Sequence, residues 1–184
     1  MPAPPSANNV LSNTWVYAGI ASSFPNIEPP SPDLPAKDRK ARVCRPPKDP
    51  WDERTPEDDL PQPCKIFQTS TTGDEVSLNE LSPDEAFANG ILIFKYRDKF
   101  HAFDNACPHQ AYPLARGTIS DIEDFGIVLS AGLTCPKHGW TFDLHTGEAD
   151  TSRYKLSLYE VDLRAGQNGE DEVWIKKKER KRIG

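Results

Sequence analysis

Residues 134–147 read Thr-Cys-Pro-Lys-His-Gly-Trp-Thr-Phe-Asp-Leu-His-Thr-Gly, and upstream of them stands Cys107-Pro108-His109. Each stretch supplies one Cys and one His, with a proline directly after the Cys. Zinc modules usually pair Cys with Cys and His with His. Mixed pairs suit a metal pair with two unlike ends, one metal taking both thiolates and the other both imidazoles. A single zinc ion held by the same four residues stays open as the alternative.

Working outward, the first loop is C-x-H and the second C-x-x-H-G. An aromatic run, Trp140-Thr141-Phe142-Asp143, and a Thr146-Gly147 turn follow. These features resemble the two cluster loops of the Rieske family, in which two His replace two Cys on one iron of a [2Fe–2S] cluster. The resemblance covers roughly residues 13–24 and 65–176. It departs from the family between the loops, where 25 residues separate His109 from Cys135. The family usually has fewer. The extra length falls in residues 118–131, rich in Asp and Glu, and reads as a longer hairpin. The resemblance implies one [2Fe–2S] cluster per chain, with Cys107, His109, Cys135 and His138 as its ligands.

Those residue types suit the chemistry. Two thiolates bring negative charge to one iron and two neutral imidazoles bring none to the other, so the His-bound iron is the reducible one. Replacing thiolates by imidazoles raises the potential above that of an all-Cys cluster. Pro108 and Pro136 stiffen the loops, and Gly139 lets backbone N–H groups approach the inorganic sulfides. High-potential Rieske proteins add a disulfide between the loops and Ser and Tyr hydroxyl donors after the second His. Here residues 110–114 contain no Cys, Lys137 stands where the bracing Cys would be, and Trp140 and Phe142 stand where the hydroxyls would be. The expected potential is therefore low for the family, roughly −150 to 0 mV. The ligand His rings are expected at the loop tip, flanked by Gln110, Tyr112, Lys137 and Trp140. Their loss of a proton at alkaline pH should lower the potential.

Composition narrows the remaining classes. A net charge of −6 and a pI near 5.2 argue against nucleic acid as a partner and fit docking on a basic protein face. No apolar run is long enough to span a bilayer. The start MPAPPSANN lacks the basic and apolar regions of a signal peptide and the Arg of a mitochondrial presequence. The expected location is cytoplasmic. The basic run KKKERKR at 176–182 reads as a solvated terminus and only weakly as a nuclear signal.

The division of the chain follows. Residues 1–12 read as a disordered tail, 13–178 as a Rieske domain, and 179–184 as a basic tail. The domain is interrupted at about 28–63, which holds ten of the 18 prolines. Proline fixes φ and removes ladder donors, so no strand or long helix is expected there. The segment reads as a surface loop or linker. A wrapping segment that contacts a partner, with Trp51 as anchor, is the sharper alternative. The basic run at 37–45 reads as solvated.

Strands are expected at 15–20, 64–67, 75–78, 91–96, 100–104, 126–129, 154–163 and 172–176, each bounded by turn residues. Ser82-Pro83 with Glu85 is a capping box that starts one short helix, stopped at Asn89-Gly90. The fold class is all-β. The resemblance sharpens it to an antiparallel β-sandwich base carrying a small cluster-binding subdomain of two loops. His101 and His145 lack ligand spacing and read as structural or surface residues. Cys44 and Cys64 read as free thiols, because the expected compartment is reducing.

Three functions fit. The first is a soluble one-electron carrier, a Rieske-type ferredoxin moving electrons from a flavin or NAD(P)H-linked reductase to an oxygenase or similar acceptor. The second is an accessory Rieske subunit of a multi-component reductase, since residues 142–148 also resemble the small component of assimilatory nitrite reductases. The third is a cluster-based redox regulator, ranked last because no DNA-binding motif accompanies it. The chain continues for only 46 residues after His138. The mononuclear iron domain of a complete Rieske oxygenase is therefore not expected, and the protein reads as an electron-transfer component rather than a stand-alone catalyst. No nucleophile–base pair or phosphate loop suggests hydrolase or transferase chemistry.

Overall fold

The computed structural model describes residues 14–46, 50–56, 60–72, 75–82, 90–151 and 153–179. Along them run β1 (Val16–Ile20), β2 (Asn26–Ile27), β3 (Ala41–Arg42), β4 (Cys64–Thr72), β5 (Glu75–Leu81) and β6 (Ile91–Tyr96). They continue with β7 (Lys99–Asp104), β8 (Thr118–Asp124), β9 (Ile127–Thr134), β10 (Thr141–Asp143), β11 (Tyr159–Ala165) and β12 (Asp171–Lys177). The helical pieces among the described residues are 3-10 turns at Ala21–Ser23, Ala36–Asp38 and Leu114–Arg116. The helix expected after Ser82, the N-terminal tail and residues 180–184 of the basic tail lie outside the described residues.

β6 sets the layering. Its run Ile-Leu-Ile-Phe is buried on both faces, which is what an apolar strand without alternation requires. Ile91 and Ile93 join one core with Val16, Ala18, Phe67, Val173 and Ile175. Leu92, Phe94 and Tyr96 join the other with Leu114, Ile119, Leu133 and Phe142. β6 pairs antiparallel with β4 on one side and β7 on the other, and β5 extends the sheet beyond β4. The first core lies between this sheet and the antiparallel sheet β1–β12–β11. The second lies between it and the sheet β10–β9–β8–β3 that carries the two Cys/His loops. The expected all-β sandwich base with a smaller subdomain is what forms.

Two turns are locally encoded. Arg97-Asp98 (φ +49° and +60°) joins β6 to β7, and Phe125-Gly126 (φ +47° and +78°) joins β8 to β9. Both take the left-handed conformations that match a two-residue hairpin to the strand twist. The second is the tip of the expected acidic hairpin, where Phe125 is 98% exposed. Tyr96 hydroxyl and the Arg97 guanidinium both donate to the Asp121 carboxylate, tying this hairpin to the base.

Three expectations are corrected. Part of the proline-rich segment does pair as a strand: Ala41 pairs with Ile119, Arg42 with Thr118, and Val43 is fully buried beside them. The run between Pro35 and Pro46 is free of proline, which leaves the backbone donors that a two-residue strand needs. Cys44 and Cys64 are not free thiols but a disulfide, with Cα atoms 5.3 Å apart, because β3 and the start of β4 meet over the second core. Residues 154–158 are not a strand. Isolated bridges at Lys155 and Leu158 hold them, and although Leu156 and Leu158 are buried as the alternation requires, Tyr154 is exposed. Leu163 is exposed as well. Trp51 is 93% exposed. No helix among the described residues is long and apolar enough to cross a membrane.

Candidate metal centre

The two loops are built alike, though their sequences share little beyond Cys-Pro. In the first, Cys107 N–H donates to Tyr112 O (2.9 Å) and Ala111 N–H to Cys107 O (2.7 Å). In the second, Cys135 N–H donates to Trp140 O (2.8 Å) and Gly139 N–H to Cys135 O (2.9 Å). In both, the residue four after the Cys is left-handed, Ala111 at φ +52° and Gly139 at φ +73°. Each loop thus folds back on its own Cys and presents its His from the turn.

Each loop also has a rigid stem. β7 runs into the first, and Asn105, fully buried, closes it: its Oδ1 accepts Ala115 N–H and its carbonyl accepts Leu114 N–H, both at 2.8 Å. The second lies between β9 and β10, paired Thr141 to Thr134 and Phe142 to Leu133. Beyond it, Asp143 Oδ1 accepts from Ser130 Oγ and from the N–H groups of His145 and Thr146. Burial works to raise this carboxyl, but those donors outweigh it and hold it below the usual carboxylate range.

The four expected ligands come together like with like. The thiols of Cys107 and Cys135 are buried and close enough for Cys107 to act on the Cys135 thiol. Burial pushes the Cys135 thiol up and the neighbouring Cys107 adds to this, against the backbone N–H groups of Lys137 and His138 that point at its sulfur. The His109 and His138 rings lie edge to face with centroids 4.6 Å apart. His109 Nδ1 is buried without a hydrogen-bond partner. A buried polar atom left in this state calls for a ligand, and an imidazole nitrogen beside a second imidazole suits a metal. Among the described residues no three His, Cys, Asp or Glu side chains converge as a set for one ion. The donors are gathered two and two, which fits a cluster with a thiolate end and an imidazole end.

Aromatic side chains cover one side. Trp140 stacks on His109 (4.1 Å, 20° between planes), and Tyr154 lies 5.6 Å from His109 and 5.4 Å from Trp140. Pro136, Lys137 and His138 are exposed. Sequence reasoning placed Trp140 here but missed Tyr154 and Asn105. Tyr154 arrives from a loop 45 positions beyond His109, and no local pattern marks it. Asn105 stands two residues ahead of the C-x-H motif, and only its burial distinguishes it. His101 packs on Phe94 away from the loops, lowered to about 4 by burial and by the charges of Lys99 and His145. His145 is exposed in its turn. Neither joins the centre.

Comparison with known proteins agrees. The chain is 31% identical over 58 residues to the alkene monooxygenase system ferredoxin component of Xanthobacter autotrophicus (strain ATCC BAA-1158 / Py2), covering 32% of this chain and 41% of that protein. It is 32% identical over 75 residues to apoptosis-inducing factor 3 of Homo sapiens, covering 40% of this chain and 11% of that one. The chain thus spans less than half the length of these curated relatives. Among solved structures, the putative NADH-dependent nitrite reductase small subunit from Mycobacterium tuberculosis superposes with a TM-score of 0.36 at 18% identity, over 60% of this chain and 95% of that one. A chain of the carbazole 1,9a-dioxygenase oxygenase–ferredoxin complex gives 0.35 at 20% identity, over 59% and 88%. The family model for the Rieske [2Fe-2S] domain matches residues 64–160, more than half of the chain and both Cys/His loops. The chain belongs to the Rieske [2Fe-2S] domain family, and the cofactor of its fold is a [2Fe–2S] cluster.

Proposed function

We propose that Cys107, Cys135, His109 and His138 hold the cluster, and that the protein is a one-electron carrier. It would pass electrons from a flavin or NAD(P)H-linked reductase to an oxygenase or similar acceptor. The observation that carries the assignment is the sorting of the donors, thiol beside thiol and imidazole beside imidazole, with His109 Nδ1 buried and unpartnered. The likeness to a protein named as a ferredoxin component supports the carrier reading over the others.

When bound, the cluster takes up and releases one electron. The chain's own residues set where that happens. The buried cysteines and the stems behind them fix the inner end. Trp140 and Tyr154 shed water from one flank of His109, while exposed His138 and Lys137 offer the face on which a partner docks. A Lys137 ammonium over the Tyr112 ring (5.9 Å) gives this tip a positive charge in an otherwise acidic chain.

The test is stopped-flow mixing of the purified protein with an NADH-linked flavoprotein reductase, then with a Rieske oxygenase. The account expects the visible bands to bleach by one electron per cluster and to return on the second mix. A protein that keeps its cluster yet exchanges electrons with neither side overturns the carrier reading. Loss of the cluster in Cys107→Ser and His138→Ala, with the fold retained, is expected of the ligand assignment.

A further inference from the structure

The Cys44–Cys64 bridge lies outside the metal centre, and its surroundings connect it to both ligand loops. Cys44 and Cys64 are buried in the same core as Cys107 and Cys135. Next to Cys44, Val43 is fully buried, and its N–H donates to Gly117 O at 3.3 Å. Gly117 ends the Leu114–Arg116 turn that Asn105 holds against the first loop. Arg42 pairs with Thr118, which pairs in turn with Thr134, the residue before Cys135. The two-residue strand β3 is thus laid across the stems of both loops. Its own ladder is too short to hold it there, and the bridge to Cys64 at the start of β4 fixes it.

A cleft opens beside the buried bridge. Cys64 lines an open cleft of about 300 Å³ together with Gln62, Lys65, Ile66, Glu80, Leu81 and Ser82. Arg45, next to Cys44 in the chain, and the cleft residue Gln62 exchange hydrogen bonds: Arg45 N–H to Gln62 Oε1 (3.0 Å) and Gln62 Nε2–H to Arg45 O (3.3 Å).

We propose that this bridge is a thiol–disulfide exchange site through which a small dithiol or dithiol protein loosens the strap and destabilises the cluster. The reductant's thiolate attacks Cys64 Sγ from the cleft, forming a mixed disulfide and expelling Cys44 as thiolate. The reductant's second thiol then displaces Cys64. Two electrons and two protons pass to the protein, giving two cysteine thiols and one oxidised dithiol. Freed from Cys64, the strap is held by the Val43 contacts, the β3 pairs and the bonds of Arg45 to Gln62 and Pro61, and it opens locally. The effect on the cluster rests on the ligand assignment proposed above.

The experiment uses purified protein with its cluster, with and without dithiothreitol, beside a Cys44→Ser/Cys64→Ser variant treated the same way. Intact mass after alkylation counts the free thiols. Cluster loss to an iron chelator is followed by visible absorbance, and hydrogen exchange at the Val43 amide reports the strap. Reduced wild type is expected to lose its cluster roughly tenfold faster than oxidised wild type, to match the variant, and to exchange at Val43 faster. The variant should not respond to dithiothreitol, which separates this bridge from direct attack on the cluster. Equal rates of cluster loss from oxidised and fully reduced wild type overturn the proposal, as does a native protein in which Cys44 and Cys64 both alkylate. If the chain carries no iron, the ligand assignment fails instead, and Val43 exchange in the same samples still decides whether the bridge controls the strap.

Discussion

Replacing Asn105 by Ala tests how the first ligand loop is held. The side chain is fully buried, and its Oδ1 takes the N–H of Ala115, itself buried, at 2.8 Å. Its backbone keeps the bonds from Leu114 N–H and to Gly90 O, which truncation does not touch. The variant therefore strands one buried backbone donor, a loss of about 1–3 kcal/mol. For a chain of this size that is a fall in Tm of roughly 2–12 °C. The same energy raises the population of opened loop by about 5- to 150-fold. Thermal melting of iron-free protein reads the first quantity, and the rate of cluster loss to a chelator reads the second. Asn105→Asp keeps an acceptor in place and should recover part of the loop closure, although a buried carboxylate penalises the fold. If Asn105→Ala matches wild type in both assays, the Asn105–Ala115 bond does not close the loop and the reasoning fails.

Other perturbations probe separate contacts. Asp121 accepts from Tyr96 and Arg97, and although burial works to raise it, those partners hold its carboxyl below the ordinary value. A depressed folded pKa contributes stability above the unfolded value near 4 that is lost as pH falls through the folded value. The gap between wild type and Asp121→Asn in urea denaturation should therefore be roughly 1 kcal/mol at neutral pH, Arg97 being partly exposed, and should close below about pH 4. Trp140→Ala removes the ring stacked on His109 and admits water to that flank. The reduction potential should rise by tens of mV, because water favours the more negative reduced state; voltammetry that shows no change would contradict the cover. Ala111→Gly, at φ +52°, should be neutral or stabilising by up to about 1 kcal/mol, whereas Gly139→Ala, at φ +73°, should destabilise by a similar amount. Chemical denaturation of the pair checks whether the two loops share one backbone design.

Much of this architecture is legible in the sequence because it is written locally. β6 shows itself as an unbroken apolar run, and the ligand loops by Cys-Pro with a His at fixed offset. The turn at Arg97-Asp98 follows from the residues between two apolar runs. What depends on distant partners is not legible. β3 is two residues in a proline-rich stretch and exists because β8 offers an edge at Thr118 and Ile119. The Cys44–Cys64 pairing depends on where β3 and β4 meet, which spacing alone does not give. Composition argued against it through an expected compartment, a weaker argument than Cα atoms brought to 5.3 Å. Tyr154 reads as a strand residue by its alternation with Leu156 and Leu158, yet its ring belongs to the metal centre because the chain bends after Asp150. Asn105 carries no pattern at all, since a loop-closing amide is recognisable only once the loop is closed.

The central claim is that two thiols and two imidazoles, sorted two and two, hold a [2Fe–2S] cluster. It is tested most directly by the EPR spectrum of anaerobically purified protein before and after dithionite, with iron, sulfide and zinc analysis of the same sample. The account predicts two irons and two sulfides per chain, silence when oxidised, and a rhombic signal of low average g when reduced. One zinc per chain, no visible bands and no signal after dithionite would contradict it.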